Sequence, residues 1–192
     1  MDIISDPQAG IIILSSGKMF NFLEPKSDDF DILDIAHALS MTCRFGGAPR
    51  KFYSVAQHSF YVSYMVHPSK AKAALLHDGT EAYLHDLCPS VKVLFPEYEK
   101  MENTLGGKLA LAFDLAVNAF EDPVIKTADN QIQRLEATVL INTSDWFWKT
   151  VGGRPDGSLF DIDPNFIAWT PEAAEKAFLG RYMEIQSEGH LP

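Results

Sequence analysis

Ser27-Asp28-Asp29-Phe30-Asp31-Ile32-Leu33-Asp34-Ile35-Ala36-His37-Ala38-Leu39 decides how the rest of the chain is read. A cluster of capping residues precedes Phe30, Leu33, Ile35, Ala36 and Leu39, which recur at helical spacing and predict one buried helix face. Upstream, Ile11 to Leu14 and Met19 to Leu23 flank Ser15-Ser16-Gly17-Lys18, the pattern of a β-hairpin, and Pro25 ends it. Downstream the helical period continues. Ser54 caps a segment through Val55, Phe60, Val62 and Met65, and Pro68-Ser69 opens another from Lys70 to His77. A long helix is expected from Glu97 to about Leu115, with a kink or break at Gly106-Gly107. Pro123 opens a further one through Ile125, Ala128, Ile132, Leu135 and Leu140. Val151-Gly152-Gly153-Arg154-Pro155-Asp156-Gly157 reads as a loop, and Thr170-Pro171-Glu172 caps a last helix to roughly Tyr182 with a frayed tail. The expectation is a mostly α protein with one small N-terminal β-hairpin: residues 1–25 form the hairpin segment and 26–192 the helical part of a single domain.

The 192 residues are 46% hydrophobic and 22% charged, an ordinary globular composition, so a disordered chain is excluded. Sixteen basic residues face 26 acidic ones, for a net charge of −10. That balance argues against a nucleic-acid partner, whose phosphates are met by a basic surface. The longest run of Ile, Leu and Val, Ile11 to Leu14, is far short of a membrane span. Met1 to Asp6 lacks the basic start and apolar stretch of a signal peptide. Two cysteines, Cys43 and Cys88, make neither a disulfide framework nor a cysteine-rich zinc module. A cytoplasmic protein with reduced thiols is expected.

The densest group of potential ligands is His77-Asp78, with His58 upstream and Asp129 downstream, each on a separate predicted helix or at the end of one. Consecutive helical side chains diverge by about 100°. A histidine and an aspartate in sequence therefore reach one ion only near a helix end or a tight corner, and Gly79 permits such a corner. Two imidazoles and two carboxylates suit manganese, iron, cobalt, nickel or zinc better than calcium. Glu81 falls on the same face as His77 and Asp78 if the helix continues, and Asp86 follows. A carboxylate beside a metal but not bound to it can move protons. Lys92, and Lys126 one turn before Asp129, supply point charges for phosphate oxygens.

With its surroundings, this set resembles the HD-domain phosphohydrolases, α-helical bundles that hold a divalent metal with that motif. His77-Asp78-Gly79-Thr80-Glu81 and Asp86-Leu87-Cys88-Pro89-Ser90-Val91-Lys92 are similar to the bacterial 5′-deoxynucleotidases, and more so to the phage dATP triphosphohydrolases. Asp34 to Ser40, Cys43-Arg44-Phe45 and Phe52 to His58 are of the same phage type, so the resemblance covers residues 18 to 140. It implies that His58, His77, Asp78 and Asp129 take one divalent metal, with Glu81 and Asp86 as catalytic acids or bases. It puts Arg44 on the substrate phosphate rather than on the scaffold. Phe45 stands where the deoxynucleotidases have tryptophan and keeps a ring for stacking without the indole N–H. The implied activity is hydrolysis of a deoxynucleoside triphosphate of the dATP type to deoxynucleoside and tripolyphosphate, in a homo-oligomer. Arg50, Lys51, Lys92 and Lys126 serve as candidates for the additional phosphates. Hydrolysis of a deoxynucleoside monophosphate, a phosphodiesterase and a nucleotide-binding sensor without turnover are the rival readings. Of the remaining residues, His37 is expected to be a buried structural histidine, and Trp146 and Trp148 core or subunit-contact aromatics.

Overall fold

The first two apolar runs form the expected hairpin: β1 (Ile11–Ile13) pairs with β2 (Met19–Asn21) in antiparallel register, Ile12 opposite Phe20. The computed structural model of the chain describes residues 10–188; Met1 to Asp6, read above for a signal peptide, lie outside the described residues. The hairpin alone could not be stable, and two anchors hold it. Phe20 is fully buried, its ring centroid 5.6 Å from that of Phe30 and 4.3 Å from that of Tyr83. Asp34, in α1 (Ile32–Met41), accepts hydrogen bonds from the hydroxyl of Ser15 (2.6 Å) and from the amide and hydroxyl of Ser16 (both 2.8 Å). Burial works against the charge on Asp34, yet these donors outweigh it and hold the carboxyl below its usual range.

The remaining helices are α2 (Val55–Tyr64), α3 (Pro68–Leu76), α4 (Glu81–Leu84), α5 (Pro89–Lys92), α6 (Pro96–Ala112), α7 (Pro123–Leu140), α8 (Asp145–Thr150) and α9 (Pro171–Glu188). The fold is mostly α. Side-chain oxygens of Asp31, Ser54 and Asp122 accept from the amides of Leu33, Gln57 and Val124, which satisfies first-turn donors of α1, α2 and α7. Helix α2 lies at the centre, packed by α1, α3, α7 and α9. On one side its Val55 and Ala56 join Leu39, Leu75, Leu109 and Phe178; on the other Tyr61 and Val62 join Ile125, Ile132 and Leu159. Each such leucine or isoleucine contributes about 1.5–3 kcal/mol on burial. The two clusters therefore fix α2 firmly, and with it His58, which is wholly buried at mid-helix.

The structure departs from the sequence expectations in three places. In α1 the buried face carries Asp34, Ile35, Ala36, Leu39 and Ser40, while Leu33 is 57% exposed. His37 is exposed too, its Nδ1 3.2 Å from Glu175 Oε2, rather than a buried structural histidine. The cause is Asp34: drawn inward by the two serines, it rotates the face that apolar spacing alone predicts. Helix α6 runs through Gly106-Gly107 without a break. A Cβ on Gly107 would lie 3.0 Å from Val117 Cγ2, so the missing side chain lets the segment after α6 pack against the helix and offsets the poor propensity of glycine. Helix α9 continues past Tyr182 to Glu188. Arg181 anchors that stretch, donating to Ser63 Oγ (3.1 Å) and to Glu184 (2.7 Å) and lying 3.9 Å above the Tyr64 ring. Trp148 is buried as a core residue, whereas Trp146 is 71% exposed. Among the described residues no helix is long and apolar enough to cross a membrane.

Candidate metal centre

Three of the residues singled out by the sequence, His58, His77 and Asp129, bring ligand atoms within 4.8 Å of one another, and Asp78 adjoins them, a different oxygen facing each histidine. His58 comes from the middle of α2, His77 from the residue that ends α3, Asp78 from the corner after it, and Asp129 from α7. His58 Nε2 lies 3.2 Å from Asp129 Oδ1 and 3.7 Å from Asp78 Oδ2. His77 Nε2 lies 3.2 Å from Asp78 Oδ1 and 4.0 Å from Asp129 Oδ1. Ligands of a first-row divalent ion, bound at about 2.0–2.2 Å, stand about 3.0–3.5 Å apart at the usual angles, so this spacing is close to that of a ligand set.

The corner depends on Gly79, whose amide donates to Leu76 O (2.8 Å) and turns the chain out of α3. Helix α4 starts two residues later and carries Glu81 at its first position, beside the aspartate.

Hydrogen bonding decides which way each imidazole faces. His77 Nδ1 lies 2.8 Å from Ala74 O and His58 Nδ1 2.8 Å from Glu136 Oε1, so in both rings Nδ1 carries a proton and Nε2 is the atom turned towards the aspartates. Both Nε2 atoms are buried and accept no hydrogen bond. Two orphaned imidazole nitrogens facing two carboxylates fit a divalent cation by donor chemistry. Burial and Arg44 oppose a charge on His58, but Glu136 and Asp129 outweigh them and its pKa is pushed up to about 9. Asp129 is buried too, yet the adjacent imidazoles of His58, 3.2 Å away, and His77 hold it far below the ordinary carboxylate range.

Glu81 stands apart electrically. Burial and then the charges of Asp78 and Asp86 push its pKa well above the usual value, and its Oε2 is buried without a partner. Burial, reinforced by Asp78 against the pull of Arg44, also raises Asp86. A cleft of about 210 Å³ opens onto these groups, lined by His77, Asp78, Glu81 and Asp129 and by both expected lysines, Lys92 and Lys126. Lys92 is ion-paired with Glu102 at 2.7 Å, and Lys126 Nζ lies 3.6 Å from Asp129. A larger apolar cavity, about 850 Å³, lies between the hairpin and α6 and touches none of these residues.

The other expected contacts fall differently. Arg44 is buried, with its Nη1 3.2 Å from Asp78 Oδ2 and its Nε 3.3 Å from Glu136 Oε2. Two carboxylates of the chain hold it, beside the proposed ligands. Those carboxylates, acting against burial, raise its pKa further. Phe45 packs with the Tyr53 cluster, 5.6 Å below the Arg44 guanidinium, and is not part of the cleft lining. Arg50 is hydrogen-bonded to Asn142 and also lies outside that lining, as does Lys51.

No family model matches the chain. Two proteins are similar to most of it. The "Uncharacterized protein YfdR" of Escherichia coli (strain K12) is 35% identical over 170 residues, 88% of this chain and 92% of that protein. The chain belongs to the YfdR family. A second relative, "Uncharacterized protein RCAP_rcc00048" of Rhodobacter capsulatus, is 32% identical over 154 residues, 73% of this chain and 78% of that protein. In this member of the YfdR family the sequence reading missed one residue of the centre, Glu136. It is fully buried, touches His58 and Arg44, and accepts a hydrogen bond from Tyr53 Oη at 2.7 Å. Its signal was available, because Glu136 lies two helical turns after Asp129 on the same face of α7.

Proposed function

We propose that this chain is a divalent-metal-dependent phosphohydrolase of deoxynucleotides, of the HD-domain type that its His58, His77-Asp78 and Asp129 resemble. The observation that carries the reading is the pair of buried Nε2 atoms facing two aspartates, with the buried carboxyl of Glu81 beside them. His58, His77, Asp78 and Asp129 would hold one ion of manganese, iron, cobalt, nickel or zinc. Such an ion supplies positive charge against a phosphoryl oxygen and lowers the pKa of water. Glu81, whose carboxyl burial pushes towards the protonated form, is placed to give a proton to the departing 5′ oxygen of the nucleoside. Asp86, beside it, is the second proton-handling group. Lys126, at the cleft mouth, and Lys92, once released from Glu102, neutralise the phosphate.

The geometry favours a monophosphate over a triphosphate. Around the cleft, Asp78, Glu81, Glu102, Glu121 and Asp129 face only Lys92 and Lys126. Arg44 and Arg50, two of the cations expected to assist with a longer phosphate chain, are engaged by the scaffold. The triphosphate reading keeps one supporting observation, the 70% exposure of the Lys126 side chain at that mouth. We place the reaction in the cytoplasm, in keeping with the free thiols of Cys43 and Cys88, and in a homo-oligomer.

The test is a panel of deoxynucleoside mono- and triphosphates with manganese, cobalt or zinc. Deoxynucleoside and orthophosphate from a monophosphate are expected, and chelation or Asp78→Ala should abolish them. Faster release of intact tripolyphosphate from dATP would select the triphosphate reading. Full activity in a metal-free preparation, or nucleotide binding with no product under any metal, would overturn the proposal.

A further inference from the structure

Glu136 is a carboxylate with no exposed surface, and a buried charge is costly unless its neighbours repay it. Its neighbours do so. Tyr53 Oη donates to Oε1 at 2.7 Å, His58 Nδ1 meets the same oxygen at 2.8 Å, and Arg44 Nε stands 3.3 Å from Oε2. Arg44 then reaches Asp78 Oδ2 at 3.2 Å, and that oxygen lies 3.7 Å from His58 Nε2. The contacts close a ring, His58 to Glu136 to Arg44 to Asp78 and back to His58. Two of its four members are metal-ligand candidates, and the other two touch those candidates from behind. Ala74 O already fixes the ring of His77, leaving His58 as the imidazole whose orientation depends on a side chain.

We infer that Glu136 and Arg44 are positioning residues for the metal centre: Glu136 sets the tautomer and direction of His58, and Arg44 ties that glutamate to Asp78. The inference rests on the metal-site reading above. Carboxylates behind a ligating histidine raise its basicity and hold its ring, and their loss costs about 10–100-fold in metal affinity. The planar fork of arginine suits two carboxylates at fixed directions, whereas lysine offers a single point charge. Arg44 thereby acts through the ion's ligands.

The experiment is zinc titration against a competing chelator for the wild-type chain, Glu136→Gln, Glu136→Asp and Arg44→Lys, together with the ring-nitrogen NMR spectrum of the zinc-loaded wild type. The wild type should bind one zinc ion through Nε2 of both histidines, with a proton on each Nδ1. Glu136→Gln and Arg44→Lys should bind about 10–100-fold more weakly, with Glu136→Asp recovering part of the loss. A purely structural role would lower the melting temperature and leave zinc affinity unchanged, and that result overturns the inference while leaving the metal site standing. Ligation of His58 through Nδ1 overturns it too, in a measurement that needs no variant to fold. A wild type that binds no zinc, manganese or cobalt overturns the metal-site reading itself, and the inference with it.

Discussion

Gly79→Ala tests the corner on which the centre turns. A Cβ at this position would lie 2.9 Å from Leu76 O and 3.1 and 3.4 Å from the two methyls of Leu109. The oxygen is backbone and already accepts the Gly79 amide at 2.8 Å, so it cannot retreat without opening the turn. Leu109 is fully buried among Leu75, Leu76 and Leu105 and has little room to yield. Overpacking of a close-packed core costs about 1–3 kcal/mol. For a domain of this size a loss of 1 kcal/mol lowers the melting temperature by about 2–4 °C, which gives a fall of roughly 2–12 °C. The displaced backbone carries His77 and Asp78 on one side and Glu81 on the other, so zinc affinity should fall with stability. Thermal melts of the metal-free variant, paired with zinc titration, read both. A variant that melts with the wild type and binds zinc equally well would show that the turn has slack and refute the packing argument.

Glu81→Gln should keep zinc at one ion per chain while kcat falls by roughly 10²–10⁴; loss of zinc would make Glu81 a ligand instead. The same change should stabilise the metal-free protein at neutral pH. A carboxyl whose folded pKa is raised favours folding most below its unfolded value, near 4.5, and that advantage is lost as pH climbs towards the folded value. The gap between variant and wild type should therefore open above pH 4.5 in pH-dependent melts and be absent below it. Zinc binding at neutral pH must displace a proton from His58, so apparent affinity should rise with pH up to about 9, read by titration in a series of buffers. Asp34→Ala should cost upwards of about 4 kcal/mol, since each of its three hydrogen bonds to a charged group is worth about 1.5–3 kcal/mol, without altering zinc affinity. A melt unchanged by that substitution would show that the serine clasp contributes nothing.

The sequence made legible what depends on local pattern. Caps at Ser54 and Pro68-Ser69, and apolar spacing after Pro123, placed α2, α3 and α7 within a residue or two. The closeness of His58, His77, Asp78 and Asp129 was legible as well, because those residue types stand out and Gly79 marks a corner. What escaped depends on partners distant in the chain. Asp34 faces inward because of Ser15 and Ser16, 19 and 18 residues away. Gly107 of α6 is tolerated because Val117 packs on it, and α9 extends because Arg181 finds Ser63 and Tyr64. Glu136 escaped as well: its spacing from Asp129 marks the face it shares, but its partners Arg44, Tyr53 and His58 lie far upstream in the chain. The carboxylates that hold Arg44 lie 34 and 92 positions further along the chain, beyond the reach of local pattern.

The ligand candidates come from three stretches of chain that meet only in the folded state: mid-α2, the α3–α4 corner and mid-α7. An ion held by all three is therefore a cross-link, closing two loops whose ends would otherwise part on unfolding. A ligand at 100 times its Kd stabilises the form that binds it by about 2.7 kcal/mol, a sizeable share of the about 5–15 kcal/mol that keeps a domain folded. Metal supply would then set how much of this protein persists, and not only how fast it works. A chelator would act on it as a mild denaturant, and a cell short of the ion would lose the chain to proteolysis along with its chemistry.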